Sequence, residues 1–297
     1  MIQAVLESGL RQTMTRLVRP LLHPSVPVRL QRRLISKAYL TSVPPRGTRF
    51  EDIEAEGLAM TRVCHGDNPD GVVLYFHGGG YIIGSPRTHR GITGHLARAS
   101  GAMVIVPDYR LAPENPYPAA LDDAETVFLA LLEEGHTPTS LSLAGDSAGG
   151  GLAIALAMRL RDKGFPLPSS LMVMSPWTDL SNTRLYSPEY EPVLQRPWID
   201  KAARLYCANE PVANPYISPV FGDLSGLPPL LIQAGSQEIL LNDARRLADA
   251  ANRDSVDTRL EIYNSLWHVF QVHAGQLARA TGALNTAGAF IRQHLRP

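Results

Sequence analysis

An α/β fold, with a largely parallel sheet covered by helices on both faces, is predicted by three features of this chain. Short apolar runs of the kind found in strands buried on both faces, Gly71–Phe76, Ala102–Val106, Ser170–Met174 and Pro229–Ala234, alternate with segments of helical periodicity, Ala119–Glu134, Gly151–Asp162 and Asp243–Arg253. Leu141 to Gly151 reads as a strand, a tight turn and the opening of a helix. Each strand hands over to Gly, Ser, Asp or His at its carboxyl end, where open α/β sheets gather their functional groups.

The 297 residues, 44% of them hydrophobic, suffice for one large domain with a well-buried sheet and a small cap. Lys plus Arg balance Asp plus Glu at 28 each, so no net field draws nucleic acid, and a neutral small molecule is the expected partner. Cys64 and Cys207 lie far apart and in no metal-like spacing, which argues against a disulfide framework or a metal site and makes the cytoplasm the expected location. The longest apolar runs fall short of a membrane span, and Glu7, Arg11, Arg16 and Arg19 interrupt the first residues, unlike a signal peptide.

From Ile2 to Val18 apolar residues recur at helical spacing, and Pro20 ends the pattern. A second helix, Val28–Leu40, sets Arg29, Arg32, Arg33 and Lys37 against Leu30, Leu34 and Ile35. Such a basic amphipathic pair can lie on a membrane surface or cover a pocket; residues 1–50 are read here as a cap segment and 51–297 as the catalytic domain. Short strands follow between Phe50 and Val63. From about 181 to 228 the alternation breaks into a proline-rich stretch with one helical piece, Asp200–Asn209, and so long an insertion is expected to complete the cap. Thr258–Tyr263 is the last strand and a final helix follows it.

Chemistry centres on Gly145-Asp-Ser147-Ala-Gly149. A serine between glycines at a strand-to-helix turn fits the nucleophile elbow of α/β-hydrolases, where the hydroxyl stands clear of the backbone. His77-Gly78-Gly79-Gly80 follows the buried strand that ends at Phe76, and consecutive glycines leave amides uncovered to meet an oxyanion. With Asp108-Tyr-Arg-Leu-Ala-Pro-Glu114 and Pro118-Ala-Ala-Leu-Asp-Asp123, these motifs resemble the bacterial hormone-sensitive-lipase-like esterases, in matching order from about Val72 onward. The resemblance implies an α/β-hydrolase core with a helical cap, no cofactor, hydrolysis of short-chain carboxylic esters and, in many members, homodimers.

A serine nucleophile requires a base in hydrogen-bond reach and an acid that fixes the base's tautomer. His268, after the last strand, is the expected base; His77 is expected to orient the glycine loop, His273 to lie on the final helix, and His23, His65, His89, His95, His136 and His294 to have surface roles. Glu238 holds the position of the acid in the order Ser, Asp/Glu, His, although Glu238-Ile-Leu departs from the family's Asp-Pro-Leu; Asp179 and Asp243, the latter behind an N-cap candidate at Asn242, are its rivals. The amides of Gly78, Gly79 and Ala148 are expected to form the oxyanion hole, and Tyr186, Trp198 and Tyr206 the pocket walls. The function expected is a serine carboxylesterase acting through an acyl-enzyme. A lactone hydrolase with the same triad, for instance on a monoterpene lactone, and a non-catalytic receptor on this scaffold are the alternatives; the three residues together argue against the receptor.

Overall fold

The computed structural model describes residues 2–38, 42–67 and 69–296. Its strands are β1 (Thr48–Ala55), β2 (Leu58–His65), β3 (Val72–Phe76), β4 (Met103–Pro107), β5 (Leu141–Asp146), β6 (Ser170–Met174), β7 (Leu230–Gly235) and β8 (Thr258–Tyr263). Its α-helices are α1 (Ile2–Thr13), α2 (Val28–Ala38), α3 (Arg90–Ser100), α4 (Ala119–Glu133), α5 (Ala148–Asp162), α6 (Arg196–Cys207), α7 (Leu241–Arg253) and α8 (Ala278–His294). The strands form one sheet in the order β1-β2-β4-β3-β5-β6-β7-β8, with β2 antiparallel to both neighbours and β4 through β8 paired in parallel.

The central strands are buried on both faces because each face carries helices, and the period of two divides their side chains between two cores. Leu74 and Phe76 of β3 pack with Leu121 and Phe128 of α4 and Leu152 of α5, whereas Val73 and Tyr75 face Ile92 and Leu96 of α3 and Leu284 and Ile291 of α8. The parallel strands all point their carboxyl ends the same way, toward the elbow after β5, the glycine loop after β3 and the turns after β6, β7 and β8.

Three local expectations are corrected, and one helix goes beyond them. The first helix is α-helical only to Thr13; it then passes through a wider turn at Met14–Val18 and a 3-10 turn at Arg19–Leu22, where Pro20 at the first turn is tolerated. The second helix runs to Ala38, and Leu40 lies outside the described residues; its buried face is Gln31 and Ile35 rather than Leu30, which is exposed. Helix α3 carries no clear sequence signal, since Gly91, Gly94, His95 and Ser100 interrupt its apolar pattern, yet it is almost wholly buried. His273 falls on a short 3-10 turn ahead of α8.

The N-terminal segment and the insertion meet through side chains reaching backbone. Arg19 donates to the carbonyls of Glu191 and Leu194, Gln195 returns a bond to Arg19 O at 2.8 Å, and Lys201 donates to Pro24 O at 2.8 Å. Gln31 is buried because all of its polar atoms are matched: Nε2 donates to Leu21 O and His23 O, and Oε1 accepts from Trp198 Nε1 at 3.2 Å. Among the described residues no helix is long and apolar enough to cross a membrane.

Candidate active site

Ser147 sits between β5 and α5 with φ 53° and ψ −121°, a conformation that costs an L-residue about 1–3 kcal/mol and is held by its surroundings. Its amide donates to Met174 O and its carbonyl accepts from Trp177 N, each at 2.9 Å. The flanking glycines are required by close approach. A Cβ on Gly145 would lie 2.4 Å from Gly149 O, and one on Gly149 would lie 2.0 Å from Phe76 O.

His268 comes from the loop after β8 and brings Nε2 to 3.0 Å from Ser147 Oγ. Glu238 comes from the turn after β7, with Oε1 at 3.8 Å from His268 Nδ1, too long for a hydrogen bond, while neither atom has another partner among the described residues. Its Oε2 is fixed by Ser175 Oγ at 2.7 Å and Gly235 N at 2.8 Å, and Val269 N donates to the same Ser175 hydroxyl at 3.0 Å. Ser175 thus fastens the acid turn and the histidine loop together. Burial disfavours charge on His268, but Glu238, and more weakly Glu191 and Asp146, outweigh it and hold its pKa above the ordinary imidazole value.

The two rival acids are engaged elsewhere. Asp243 Oδ2 accepts from the amides of Thr178 and Asp179, each at 2.9 Å, and burial raises its pKa to about 7. Asp179 pairs with Arg246 and accepts from Ser181. Asn242 does not cap α7; that helix starts at Leu241, and the Asn242 amide donates to Arg184 O.

Gly78 does not present a free amide to the cavity, contrary to expectation. Its N–H donates to Asp146 Oδ1 at 3.0 Å, and a Cβ there would lie 2.2 Å from Asp146 Oδ2. The same Oδ1 accepts from Tyr75 OH at 2.6 Å and pairs with His89 Nε2 at 3.3 Å. Among the described residues the amides of Gly79 and Gly80 donate to no protein acceptor; both glycines line the cavity beside Ser147, and the Ala148 amide is the first of α5, without an intrahelical partner. His77 orients the loop from behind: Nδ1 donates to Gly78 O at 2.9 Å, Tyr109 OH donates to His77 O at 2.6 Å, and burial lowers the His77 pKa to about 3, so the ring stays neutral.

His89, expected at the surface, is 6% exposed and lines the cavity. Burial opposes its charge, but Asp146 prevails and raises its pKa. The Asp146 carboxylate is lowered in turn, against burial, by His89 and Tyr75. His95 is buried as well, with Nε2 near Val43 O.

Trp198 lines the cavity, its ring lying over Gly80, where a Cβ would meet Trp198 Cη2 at 3.0 Å. Tyr206 and Tyr186 do not line it. Tyr206 stacks on Tyr81 with ring centroids 3.7 Å apart, and Tyr186 lies under the Arg245 guanidinium. Other walls include Met14, Leu22 and Ile35 from the N-terminal segment, Ile83 and Thr88 after the glycine loop, Val193 and Leu194 from the insertion, and Trp267, Val269 and Val272 after β8. Met14 and Ile35 belong to the helical apolar patterns of the N-terminal segment, whereas nothing in the sequence periodicity marks Val193 and Leu194 of the insertion or the residues after β8.

An alpha/beta hydrolase fold family model matches residues 73–272. The chain belongs to that family, and within it to the bacterial hormone-sensitive-lipase-like esterases, which are carboxylic ester hydrolases. It is 42% identical over 225 residues to an acetyl-hydrolase of Streptomyces hygroscopicus, covering 74% of this chain and 75% of that one. It is 38% identical over 261 residues to the putative acetyl-hydrolase LipR of Mycobacterium tuberculosis, covering 84% and 82%. Among solved structures, an esterase from the bacterial hormone-sensitive lipase family superposes with a TM-score of 0.90 at 35% identity, covering 99% of this chain and 98% of that one.

Proposed function

We propose that this esterase hydrolyses short-chain carboxylic esters through an acyl-enzyme on Ser147. The observation that carries the reading is the 3.0 Å contact from His268 Nε2 to Ser147 Oγ, with Glu238 behind Nδ1 and uncommitted amides beside the hydroxyl. His268 takes the serine proton as Oγ attacks the ester carbonyl, and the carbonyl oxygen becomes an anion. Amides of Gly79, Gly80 and Ala148 receive it, Gly80 replacing Gly78 in that role because the Gly78 N–H is bound to Asp146. The imidazolium returns its proton to the departing alcohol, and water repeats the sequence to release the acid.

The acyl group is assigned to the space lined by Trp198, Val193 and Leu194, beside the serine. Two relatives bear the name acetyl-hydrolase, which agrees with a short acyl chain. The cap is the N-terminal segment together with the insertion near 181–228. Cys64 and Cys207 are free thiols, which suits the cytoplasm. The test is a panel of p-nitrophenyl esters of increasing acyl length with Ser147→Ala as control. Hydrolysis strongest for the shortest chains, loss of about 10⁶ in kcat for the variant and loss of fluorophosphonate labelling support the reading; substantial turnover by Ser147→Ala removes it.

A further inference from the structure

We propose that Glu191, in the insertion between β6 and β7, is a positioning residue that ties the wall of the acyl pocket to the turn carrying the triad acid. The proposal rests on the Ser147, His268, Glu238 reading and extends it to a residue outside every motif in the sequence. Glu191 Oε1 accepts from the amides of Val193 at 2.7 Å and Leu194 at 3.1 Å, both of which line the cavity. Glu191 Oε2 accepts from the amide of Ile239 at 2.9 Å, the peptide that directly follows Glu238.

The same strip of chain runs along the acid turn through Tyr186 N to Ile239 O at 2.9 Å and Tyr190 N to Gln237 Oε1 at 3.3 Å. Neither of these bonds reaches the pocket wall, whereas Glu191 reaches wall and turn with one carboxylate. From the N-terminal segment, Arg19 donates to the carbonyls of Glu191 and Leu194. A shift of Val193 or Leu194 against an acyl group is therefore passed through a rigid three-amide clamp to the backbone of Glu238.

The chemistry of the clamp explains why the residue is a glutamate. Three N–H groups converge on it, and a carboxylate offers two acceptor oxygens and no donor. An amide offers one acceptor oxygen, so its NH₂ would face either the Val193 and Leu194 amides or that of Ile239. An aspartate is one methylene short of spanning both ends.

The clamp also places charge. The acidic groups acting on His268 are Glu238 from the turn after β7, Glu191 from the insertion and Asp146 from the end of β5, with the hydroxyl of Ser147 at Nε2. Burial outweighs the pull of His268 and the three amides and leaves the Glu191 carboxyl above its ordinary value; ionised, it adds to the field at His268. Removing the Glu191 charge weakens the field that stabilises the imidazolium.

The test measures kcat and KM of the full-length chain on p-nitrophenyl acetate and butyrate across the pH range in which His268 titrates. Glu191→Gln is expected to lower kcat roughly 10-fold, since a small misplacement of a catalytic group is costly, and to move the acid limb of kcat/KM to lower pH. Glu191→Asp keeps the charge and loses the reach, so kcat falls while the acid limb stays. A wild-type acid limb in the Gln variant, or wild-type kcat in the Asp variant, overturns the proposal, and the Asp variant alone decides if the Gln variant fails to fold. Activity surviving in Ser147→Ala would instead remove the triad reading, an outcome separable from both.

Discussion

His268 Nδ1 and Glu238 Oε1 face each other across 3.8 Å in a buried site, and neither has another hydrogen-bond partner among the described residues. Such a gap is common before substrate binds, and it closes when the imidazolium forms and turns a neutral contact into a charge-assisted bond. The other oxygen of Glu238 is already fixed by Ser175 and Gly235, so Oε1 is held ready rather than searching for its partner.

Glu238→Gln makes a specific demand of this arrangement. The amide oxygen takes the place of Oε2, because two donors point there, and the NH₂ faces Nδ1. The ring must then accept at Nδ1 and carry its proton on Nε2, presenting a donor to Ser147 instead of a base. A fall of about 10⁴ in kcat is expected. Steady-state hydrolysis of p-nitrophenyl acetate, with thermal melting to show an intact fold, measures it; a kcat within an order of magnitude of wild type would shift the acid role to another residue.

The elbow depends on two glycines for space. In Gly149→Ala the new Cβ would sit 2.0 Å from Phe76 O, a backbone atom of a fully buried strand, which has nowhere to go. Destabilisation of at least about 3 kcal/mol in urea unfolding is expected. Gly282 in α8 is the contrast, since it is exposed and a Cβ added there would meet nothing within 4 Å. Gly282→Ala is expected to add about 1 kcal/mol, the helix propensity difference.

The parts of this fold that can be read in the sequence are those in which local chemistry has one solution. Short apolar runs that end on Gly, Ser or His read as two-sided strands, and a serine between glycines at a strand end reads as a tight turn. The order Ser147, Glu238, His268 identifies the three side chains that the structure brings into one line. Gly78 shows where such reading stops: three adjacent glycines are equivalent as letters, and only the neighbour Asp146 decides which N–H is already bound. His89 and Glu191 escape it for the same reason, because each meets a partner more than forty residues away. Tyr186 and Tyr206 stand out as aromatic residues of the insertion, but aromatic character does not say which side of a packed layer a ring occupies; Tyr206 stacks on Tyr81 and, of the three aromatic candidates, Trp198 alone faces the cavity.

Acid lability is expected from histidines that are buried neutral. The His273 pKa is lowered to about 4 by burial, and its Nε2 has no hydrogen-bond partner among the described residues. Above the unfolded value near 6.5 the group has no pH effect; as pH falls from there toward about 4, the unfolded chain binds a proton that the folded chain refuses, and stability is lost. His77, lowered to about 3, acts in the same sense, while His89 and His268, both raised, give stability below the unfolded value that is lost as pH rises through their folded pKa. His273→Phe keeps the edge contact with Trp267 and removes one titrating group. Its urea midpoint should therefore fall less than that of wild type between neutral pH and pH about 4, by on the order of 2 kcal/mol in unfolding free energy; equal slopes would mean that His273 does not resist protonation.

Chain-length selection is expected to reside in Trp198. The indole is 3% exposed, lies over Gly80 and is held by a bond from Nε1 to Gln31 Oε1 at 3.2 Å, so it is a fixed wall rather than a mobile flap. Trp198→Leu exchanges a bicyclic ring for a smaller side chain and opens room next to the serine. A gain of a few methylenes in a hydrophobic pocket shifts discrimination by roughly 10- to 200-fold, so the ratio of kcat/KM for octanoate over acetate esters should rise by at least about 10-fold. Tyr206→Phe serves as the control from the same helix. Its hydroxyl is buried without a partner among the described residues, so its removal should leave the ratio unchanged and raise stability by about 1 kcal/mol. Should Tyr206→Phe alter the ratio and Trp198→Leu leave it untouched, the acyl chain would have to lie on the Tyr81 side of α6, where the two tyrosine rings stack, and not beneath the tryptophan.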